Sequence, residues 1–462
     1  MTTLFQAINQ ESTTTENGMP TLQTSLNDCV DLFFKIGASR GKDIIPLFSK
    51  AFNSENEIAT RIALWARDVR CGAGERKLFR DILSYLVTKD VDLARKVMVK
   101  VPELGRWDDL FVLFGTALER DALRLIADAL KAGNGLCAKW MPRKSKEAGK
   151  IRAYLQLSPK AYRKLLVGLT NVVETKMCAK EWESIEFGKL PSLASARYQT
   201  AFLRNAPVSY TAYKDALVKG EAKINAGAVY PYDIVKTVKK GDQVVADAQW
   251  KALPDYLAGN TENLLCLVDV SDSMDCPVGG TAGLSCMDAA ISLGLYISER
   301  SKGIFKDQFI TFHERPSMLK VYGSLSDRYH QMKNSPWGGS TNLESAFRLI
   351  LDSAVKHKVA ASEMPTTLII LSDMQFNVCD HRFSDNSYQM IDRMYEQAGY
   401  KRPSIVYWNL RDSHGVPVTF DQAGTALVSG FSPSIMESVL SGKGIDPVTI
   451  MLQAVMKDRY QL

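Results

Sequence analysis

The stretch Asn263-Leu-Leu-Cys-Leu-Val-Asp-Val-Ser-Asp-Ser-Met274 decides how this chain is to be read. Residues 264 to 268 form an unbroken apolar run that is short for a helix and apolar enough for a strand covered on both faces. The run stops abruptly at Asp269-Val-Ser271-Asp-Ser273. In an open parallel sheet, ligands bind in the crevice at the carboxyl ends of the strands. The turn after this strand offers one carboxylate and two hydroxyls to a common point, the oxygens that a hard cation such as Mg²⁺ takes.

Two later segments extend the pattern. Trp337-Gly-Gly-Ser-Thr341-Asn puts a hydroxyl in a glycine-relaxed loop ahead of a helical pattern over 343 to 358, and Thr366-Thr-Leu-Ile-Ile-Leu-Ser-Asp373 is a second buried strand ending in a carboxylate. Together these residues resemble the metal-ion-dependent adhesion site of von Willebrand factor A domains. The resemblance implies that Ser271, Ser273 and Thr341 ligate the metal directly, that Asp269 and Asp373 hold its waters, and that one position stays open for a partner's acidic group. Mg²⁺ chemistry agrees, because that ion wants octahedral oxygens, sheds water reluctantly and takes one or two carboxylates. Mn²⁺ accepts similar ligands. A serine-rich turn capping a helix, beside an unrelated Asp, is the competing reading.

Strands are expected at 264 to 269, 307 to 313, 318 to 322, 367 to 372, 404 to 410 and 425 to 429. Helices at 287 to 302, 342 to 358, 387 to 398, 433 to 440 and 446 to 458 alternate with them or follow. That alternation calls for a doubly wound parallel sheet with helices on both faces. The pair around Glu314-Arg-Pro316 reads as a hairpin that makes one antiparallel edge, since Pro cannot donate within a central strand. Residues 26 to 257 carry a different grammar, with apolar positions at three- and four-residue steps over 58 to 69, 77 to 87 and 121 to 130, broken by Gly or Pro. Paired helices of this length suggest an α-solenoid, although no fixed-period repeat is present. Glu11-Ser-Thr-Thr-Thr-Glu-Asn-Gly18 has little to bury, and residues 1 to 24 are expected to be a mobile tail.

A chain of 462 residues with 46% hydrophobic and 23% charged residues has material for two or three soluble domains. A formal charge of +6 neither demands nor excludes a polyanionic partner, so the distribution of charge must decide. The eight cysteines form no Cys-x-x-Cys pair, which fits reduced thiols better than a disulfide scaffold or a zinc site. The first residues lack a basic start and apolar run, and no segment is apolar for long enough to span a bilayer. A cytoplasmic protein without membrane contact is expected.

The most basic segment carries Lys139, Arg143, Lys144, Lys146, Lys150, Arg152, Lys160, Arg163 and Lys164 against the single acid Glu147, with Trp140, Tyr154 and Tyr162 between them. Clustered cations attract a phosphate backbone, and aromatic rings can stack on unpaired bases. A solvated helical face is the alternative. In Arg70-Cys-Gly72-Ala-Gly74-Glu-Arg76-Lys77 the two glycines could bring backbone amides to a phosphate beside Arg70, Arg76 and Lys77. The Gly-Lys-Ser/Thr ending of a Walker loop is absent, and a helix-to-helix turn flanked by surface Arg is the reading preferred there.

Ala66-Arg-Asp-Val-Arg-Cys-Gly-Ala-Gly-Glu-Arg-Lys-Leu-Phe79, Val101-Pro-Glu-Leu-Gly-Arg-Trp-Asp-Asp-Leu110, Glu174-Thr-Lys-Met-Cys-Ala-Lys-Glu-Trp182 and Lys223-Ile-Asn-Ala-Gly-Ala-Val-Tyr-Pro-Tyr-Asp-Ile-Val235 are similar to motifs of the domain-of-unknown-function 2828 proteins, distant relatives of the Ro autoantigen. Pro231-Tyr-Asp-Ile matches a Pro-aromatic-x-Ile element that precedes the A domain in Ro, whereas the basic run does not align residue by residue onto Ro's RNA contacts. The resemblance implies a multidomain α plus α/β chain: a TROVE-like, HEAT-like helical ring over 25 to 260, then a von Willebrand factor A-like domain over 261 to 462. It also implies a non-enzymatic ribonucleoprotein component that binds small structured RNAs or single-stranded RNA ends. A protein-interaction scaffold that uses the metal site without RNA is the alternative. A metal-dependent phosphoesterase is the third class, disfavoured because two-metal hydrolases cluster carboxylates and this turn supplies mostly hydroxyls.

Overall fold

In chain order the strands are β1 (Ser12–Thr14), β2 (Pro20–Leu22), β3 (Leu264–Asp269), β4 (Gln308–Phe312), β5 (Ser317–Lys320), β6 (Thr367–Ser372), β7 (Ser404–Asn409) and β8 (Thr425–Ser429). The computed structural model describes residues 12–278, 283–312, 316–336, 341–378, 385–441 and 445–462. Six strands join in the order β5-β4-β3-β6-β7-β8. Neighbours run parallel except β5, which pairs antiparallel with β4 as its Pro-containing connection predicts. Every residue of β3, β6 and β8 is buried, which is why these strands read as continuous apolar runs rather than as alternating ones. From β3 the chain winds outward through β4 and β5, then returns to the other side of β3 and winds through β6, β7 and β8. The order therefore reverses between β3 and β6, and a crevice opens at such a reversal.

The boundaries of β3 to β8 fall within two residues of expectation because apolar, β-branched runs stop sharply at polar residues. Helix Leu325–Lys333 was not anticipated. Its sequence LSDRYHQMK is polar and buries chiefly Leu325, Tyr329 and Met332, so periodicity is weak. Its start signal is local: the Ser324 hydroxyl accepts from the Asp327 amide at 3.2 Å, and the Asp327 carboxylate accepts in return from the Ser324 amide at 2.9 Å.

The chain divides into two compact units, one comprising residues 1–65, 71–73 and 229–461 and the other residues 66–70 and 74–228 with the last residue. The expected boundary at 260 is corrected by the first unit, as is the expected tail over its described residues 12 to 24. Residues 12 to 22 form a β-hairpin that pairs with the loops after β6 and β7, with Leu22 and Val416 exchanging both backbone hydrogen bonds and the Thr15 hydroxyl donating to the Phe376 carbonyl at 2.7 Å. Residues 1 to 11 lie outside the described residues. Helix Asp28–Ile36 is capped by the Asn27 side chain and buries Phe33 and Phe34. Ser429 donates to the Phe33 carbonyl at 2.8 Å, Asn409 donates to that of Phe34 at 3.3 Å, and Gly37 donates its amide to Ser429 at 3.0 Å. A Cβ on Gly37 would meet the Ser429 carbonyl at 2.7 Å, so glycine is required by this approach to the end of β8. Helix Pro231–Lys239, preceding the expected boundary, packs on helix Cys286–Arg300, and Lys239 pairs with Asp288 at 2.8 Å.

The described residues of the second unit are helical, with long members Lys77–Lys89, Val91–Leu104, Glu119–Lys131, Pro159–Leu169, Ser192–Asn205 and Pro207–Lys219. Phe187, Phe202 and Tyr210 form an aromatic cluster at one part of it. At another, the two motifs around Arg67 and Asp109 meet. Both side chains are buried, and the Asp109 carboxylate accepts from Arg67 Nε at 2.8 Å, from Arg80 Nε at 2.6 Å and from the Arg106 amide at 2.9 Å. Among the described residues no helix is long and apolar enough to cross a membrane.

Removing one partner of a buried ion pair strands the other charge in low dielectric, at a cost of about 3–5 kcal/mol. Asp109→Asn, which leaves Arg67 uncompensated, is expected to lower the stability of the helical unit by about that amount in urea denaturation. A change below about 1 kcal/mol would show that solvent reaches Arg67.

Candidate functional site

Asp269 ends β3 and Asp373 follows β6, so the strand reversal sets two carboxylates side by side, and both are fully buried. The turn after β3 places Ser271 and Ser273 with their hydroxyl oxygens 3.0 Å apart. Asp269 is held at both oxygens: the Ser271 amide donates to Oδ1 at 3.0 Å and the Ser372 hydroxyl donates to Oδ2 at 2.6 Å. Asp373 accepts from the Gln375 amide at 3.2 Å and from Arg411 Nη1 at 3.2 Å. Met374, in the turn between them, has φ of 63°, a left-handed conformation that non-glycine residues adopt at a cost and that often marks a functional turn.

Thr341 is buried and tied to the loop after β6, its amide donating to Asn377 Oδ1 at 2.9 Å and its carbonyl accepting from the Asn377 amide at 3.0 Å. The glycines and Ser340 that precede it lie outside the described residues. Sequence reasoning missed Ser372, which fixes Asp269, and Arg411, which reaches Asp373. Both follow a legible rule, since each sits at or just beyond the carboxyl end of a buried strand. The N-terminal hairpin also arrives here, with Glu16 Oε2 3.9 Å from Arg411 Nη1.

Burial, and then the neighbouring charge of Asp373, push the Asp269 carboxyl up to about 7. Two facing carboxylates in a dry crevice repel, and a dication between them would relieve that repulsion. The donors gathered at these two strand ends therefore fit a hard cation: two carboxylates and the Ser271 and Ser273 hydroxyls, all oxygen. Among the described residues no three His, Cys, Asp or Glu side chains gather into a metal-holding group.

The second candidate surface lies in the helical unit. Arg143, Lys144, Lys146, Lys160, Arg163 and Lys164 are exposed, and Lys139, Lys150 and Arg152 are partly so. They are spread over helices Gly135–Trp140, Lys146–Leu155 and Pro159–Leu169 and the connections between them. Lys150 is taken by Glu119 at 2.6 Å. The aromatic part of the expectation needs correction. Tyr162 is buried as a core side chain, and the Arg106 guanidinium lies 3.4 Å from the Trp140 ring centroid, which covers one face of that ring. Tyr154 is the exposed member of the three. The Arg70 to Lys77 segment is a turn in which Gly74, at φ of 72°, donates its amide to the Asp68 carbonyl at 3.1 Å. Arg70 reaches the Glu103 carbonyl at 3.3 Å, Lys77 pairs with Asp81 at 2.6 Å, and Arg76 is exposed.

These features define a class: an all-helical unit joined to an open, mostly parallel six-stranded sheet with an Asp-x-Ser-x-Ser turn at its strand reversal. Residues 15–90 and 144–262 match the domain of unknown function DUF2828, and residues 263–459 match a second one, DUF7788. The chain belongs to the DUF2828 family. It is 31% identical over 504 residues to the uncharacterized protein L728 of Acanthamoeba polyphaga mimivirus, an alignment covering 96% of this chain and 86% of that protein. The crystal structure of the Deinococcus radiodurans Ro protein RSR is similar with a TM-score of 0.47 at 13% identity, covering 93% of this chain and 99% of that one.

An acid whose pKa rises on folding, here from 3.8 to about 7, contributes stability that is fully present below the lower value and lost as pH rises through the upper one. Asp269→Asn removes the charge and keeps the shape. In metal-free protein it is expected to raise the melting temperature relative to wild type at pH 8, by roughly 2–4 °C per kcal/mol of burial and repulsion cost relieved, and to raise it less at pH 5, which lies between the two values. Equal shifts at both pH values in calorimetric scans would disprove the upward displacement of the Asp269 carboxyl.

Proposed function

We propose that this protein is a non-enzymatic, Ro-like RNA-binding protein in which the sheet unit, acting as a von Willebrand factor A-like domain, binds Mg²⁺ or Mn²⁺. The observation that carries the metal reading is the apposition of the buried Asp269 and Asp373 beside the paired hydroxyls of Ser271 and Ser273. Ser271, Ser273 and Thr341 would hold the ion directly and the two carboxylates would hold its waters. Bound there, it supplies a Lewis-acidic position for a carboxylate or phosphate of a partner. Ser372 keeps Asp269 oriented as an acceptor, and Arg411 limits how much negative charge Asp373 presents. A hydroxyl-rich set with two carboxylates suits holding better than hydrolysis, for which paired metals and clustered acids are the usual apparatus.

The helical unit, as a HEAT-like solenoid, would carry the RNA. The exposed cations from Arg143 to Lys164 support contact with phosphates, which is largely blind to sequence. With Tyr162 in the core and one face of Trp140 covered, stacking on bases falls mainly to Tyr154. Phosphate contact therefore dominates this reading.

Mg²⁺ at one hundred times its dissociation constant should stabilise the sheet unit by about 2.7 kcal/mol, raising its melting temperature, with no rise in Asp373→Ala. An equal Mg²⁺ response in that variant would remove the ion from this site. Mg²⁺-dependent RNA cleavage that disappears in Asp269→Ala would favour a hydrolase. For RNA, filter binding across a salt series should give a steep loss of affinity. Changing Arg143, Lys144 and Lys146 together to Ala should weaken all RNAs alike and flatten the slope by up to roughly 0.7 per lost contact on a single strand. Asp269→Ala should bind RNA as wild type does. If wild-type protein binds no RNA at low salt, the sheet unit's metal site is left as a protein-docking site.

A further inference from the structure

The cation site has a pair of thiols beside it that its chemistry does not use. Cys276 follows the short 3₁₀ turn Asp272–Asp275 that carries Ser273, and Cys286 is the first residue of helix Cys286–Arg300. Their sulfurs are 3.2 Å apart. The backbones are already paired, since the Cys286 amide donates to the Cys276 carbonyl at 2.9 Å and Pro277 bridges to Ser285. Cys286 is buried, with its sulfur 3.6 Å from the Leu410 carbonyl at the end of β7, and Cys276 is half-exposed.

We propose that Cys276 and Cys286 form a reversible disulfide that weakens the neighbouring cation site when it closes. The second half of this proposal rests on the cation reading given above. Disulfide sulfurs lie about 2.05 Å apart, so closure asks for about 1 Å of movement between two anchored backbones. The accessible member is also the better nucleophile: a hydrogen bond from Cys286, together with the positive charge of Arg411, holds Cys276 down at about 7, whereas Cys286 is pushed up.

The oxidant is a low-molecular-weight disulfide. The Cys276 thiolate attacks one of its sulfurs, forming a mixed disulfide and expelling one thiolate, which takes the Cys286 proton. Cys286 then attacks the Cys276 sulfur and expels the second thiolate. Two electrons pass from the cysteines to the small disulfide, which leaves as one thiol and one thiolate, the latter taking a proton from solvent. The charge at Cys276 is gone afterwards. Arg411, which the Cys276 thiolate had partly neutralised, then bears more fully on Asp373, 3.2 Å away. Loss of an anion and strengthening of a competing cation both disfavour a dication at that carboxylate. The pull on Cys276 also shifts the turn that carries Ser273.

The test treats the full chain with oxidised glutathione, alkylates the remaining thiols and analyses the peptides by mass spectrometry, with Mg²⁺ affinity measured by calorimetry on the reduced and oxidised forms. The expected result is a Cys276–Cys286 cross-link that dithiothreitol removes, glutathione trapped on Cys276 in Cys286→Ser, and Mg²⁺ binding on the order of tenfold weaker after oxidation. If the exposed Cys178 is glutathionylated while neither the cross-link nor the trapped species forms, the pair is overturned. A cross-linked protein that binds Mg²⁺ as the reduced form does overturns its control of the site. If the reduced protein binds no Mg²⁺, the cation reading itself fails and takes the control with it, whereas the cross-link is judged separately by mass.

Discussion

Two carboxylates that ought to repel are buried side by side at the reversal of the sheet. Asp269 and Asp373 are placed there by β3 and β6, whose apolar residues must be covered on both faces and therefore occupy the middle of the sheet. Central strands end where the crevice is deepest, so the acids that terminate them are the least solvated. Ser372, the Ser271 amide and Arg411 each offset part of that cost. Met374, directly after Asp373, is left-handed, and hydrogen bonds join Thr341 to Asn377 in the loop after β6.

The helical unit solves the opposite electrostatic problem. The buried Asp109 is closely matched, accepting from Arg67, Arg80 and the Arg106 backbone, whereas Arg143, Lys144, Lys146, Arg163 and Lys164 are exposed. The motif residues Arg67, Arg106 and Asp109 therefore hold the fold together. Arg106 does both kinds of work, pairing with Asp108 and covering Trp140.

Much of the sheet and several residues of its candidate site were legible in the sequence. Apolar runs bounded by Asp or Asn fixed the strands to within two residues, and Asp269, Ser271, Ser273 and Asp373 could be singled out because each sits where a buried run stops. Glycine and proline punctuation marked the helical half. Such signals are local, and physics of the local kind, covering a strand or turning a chain, is written residue by residue.

Other features came from contacts between residues far apart in sequence. Thr13 and Thr15 look like tail residues until the hairpin is seen paired with Asn377 and Val416, and Gly37 reveals its role only against the Ser429 carbonyl. Aromatic residues between lysines look available for stacking, yet whether a ring faces solvent depends on what packs on it, and Tyr162 went into the core. Arg411 meets Asp373 across 38 positions, and Cys276 meets Cys286 across a span with no Cys-x-x-Cys signature. The sequence by itself determined which residues could be buried, where the strands stop and which chemistry stands at their ends. Only the tertiary structure decided which charges and sulfurs face one another, because long-range apposition is set by how the strands are ordered in the sheet.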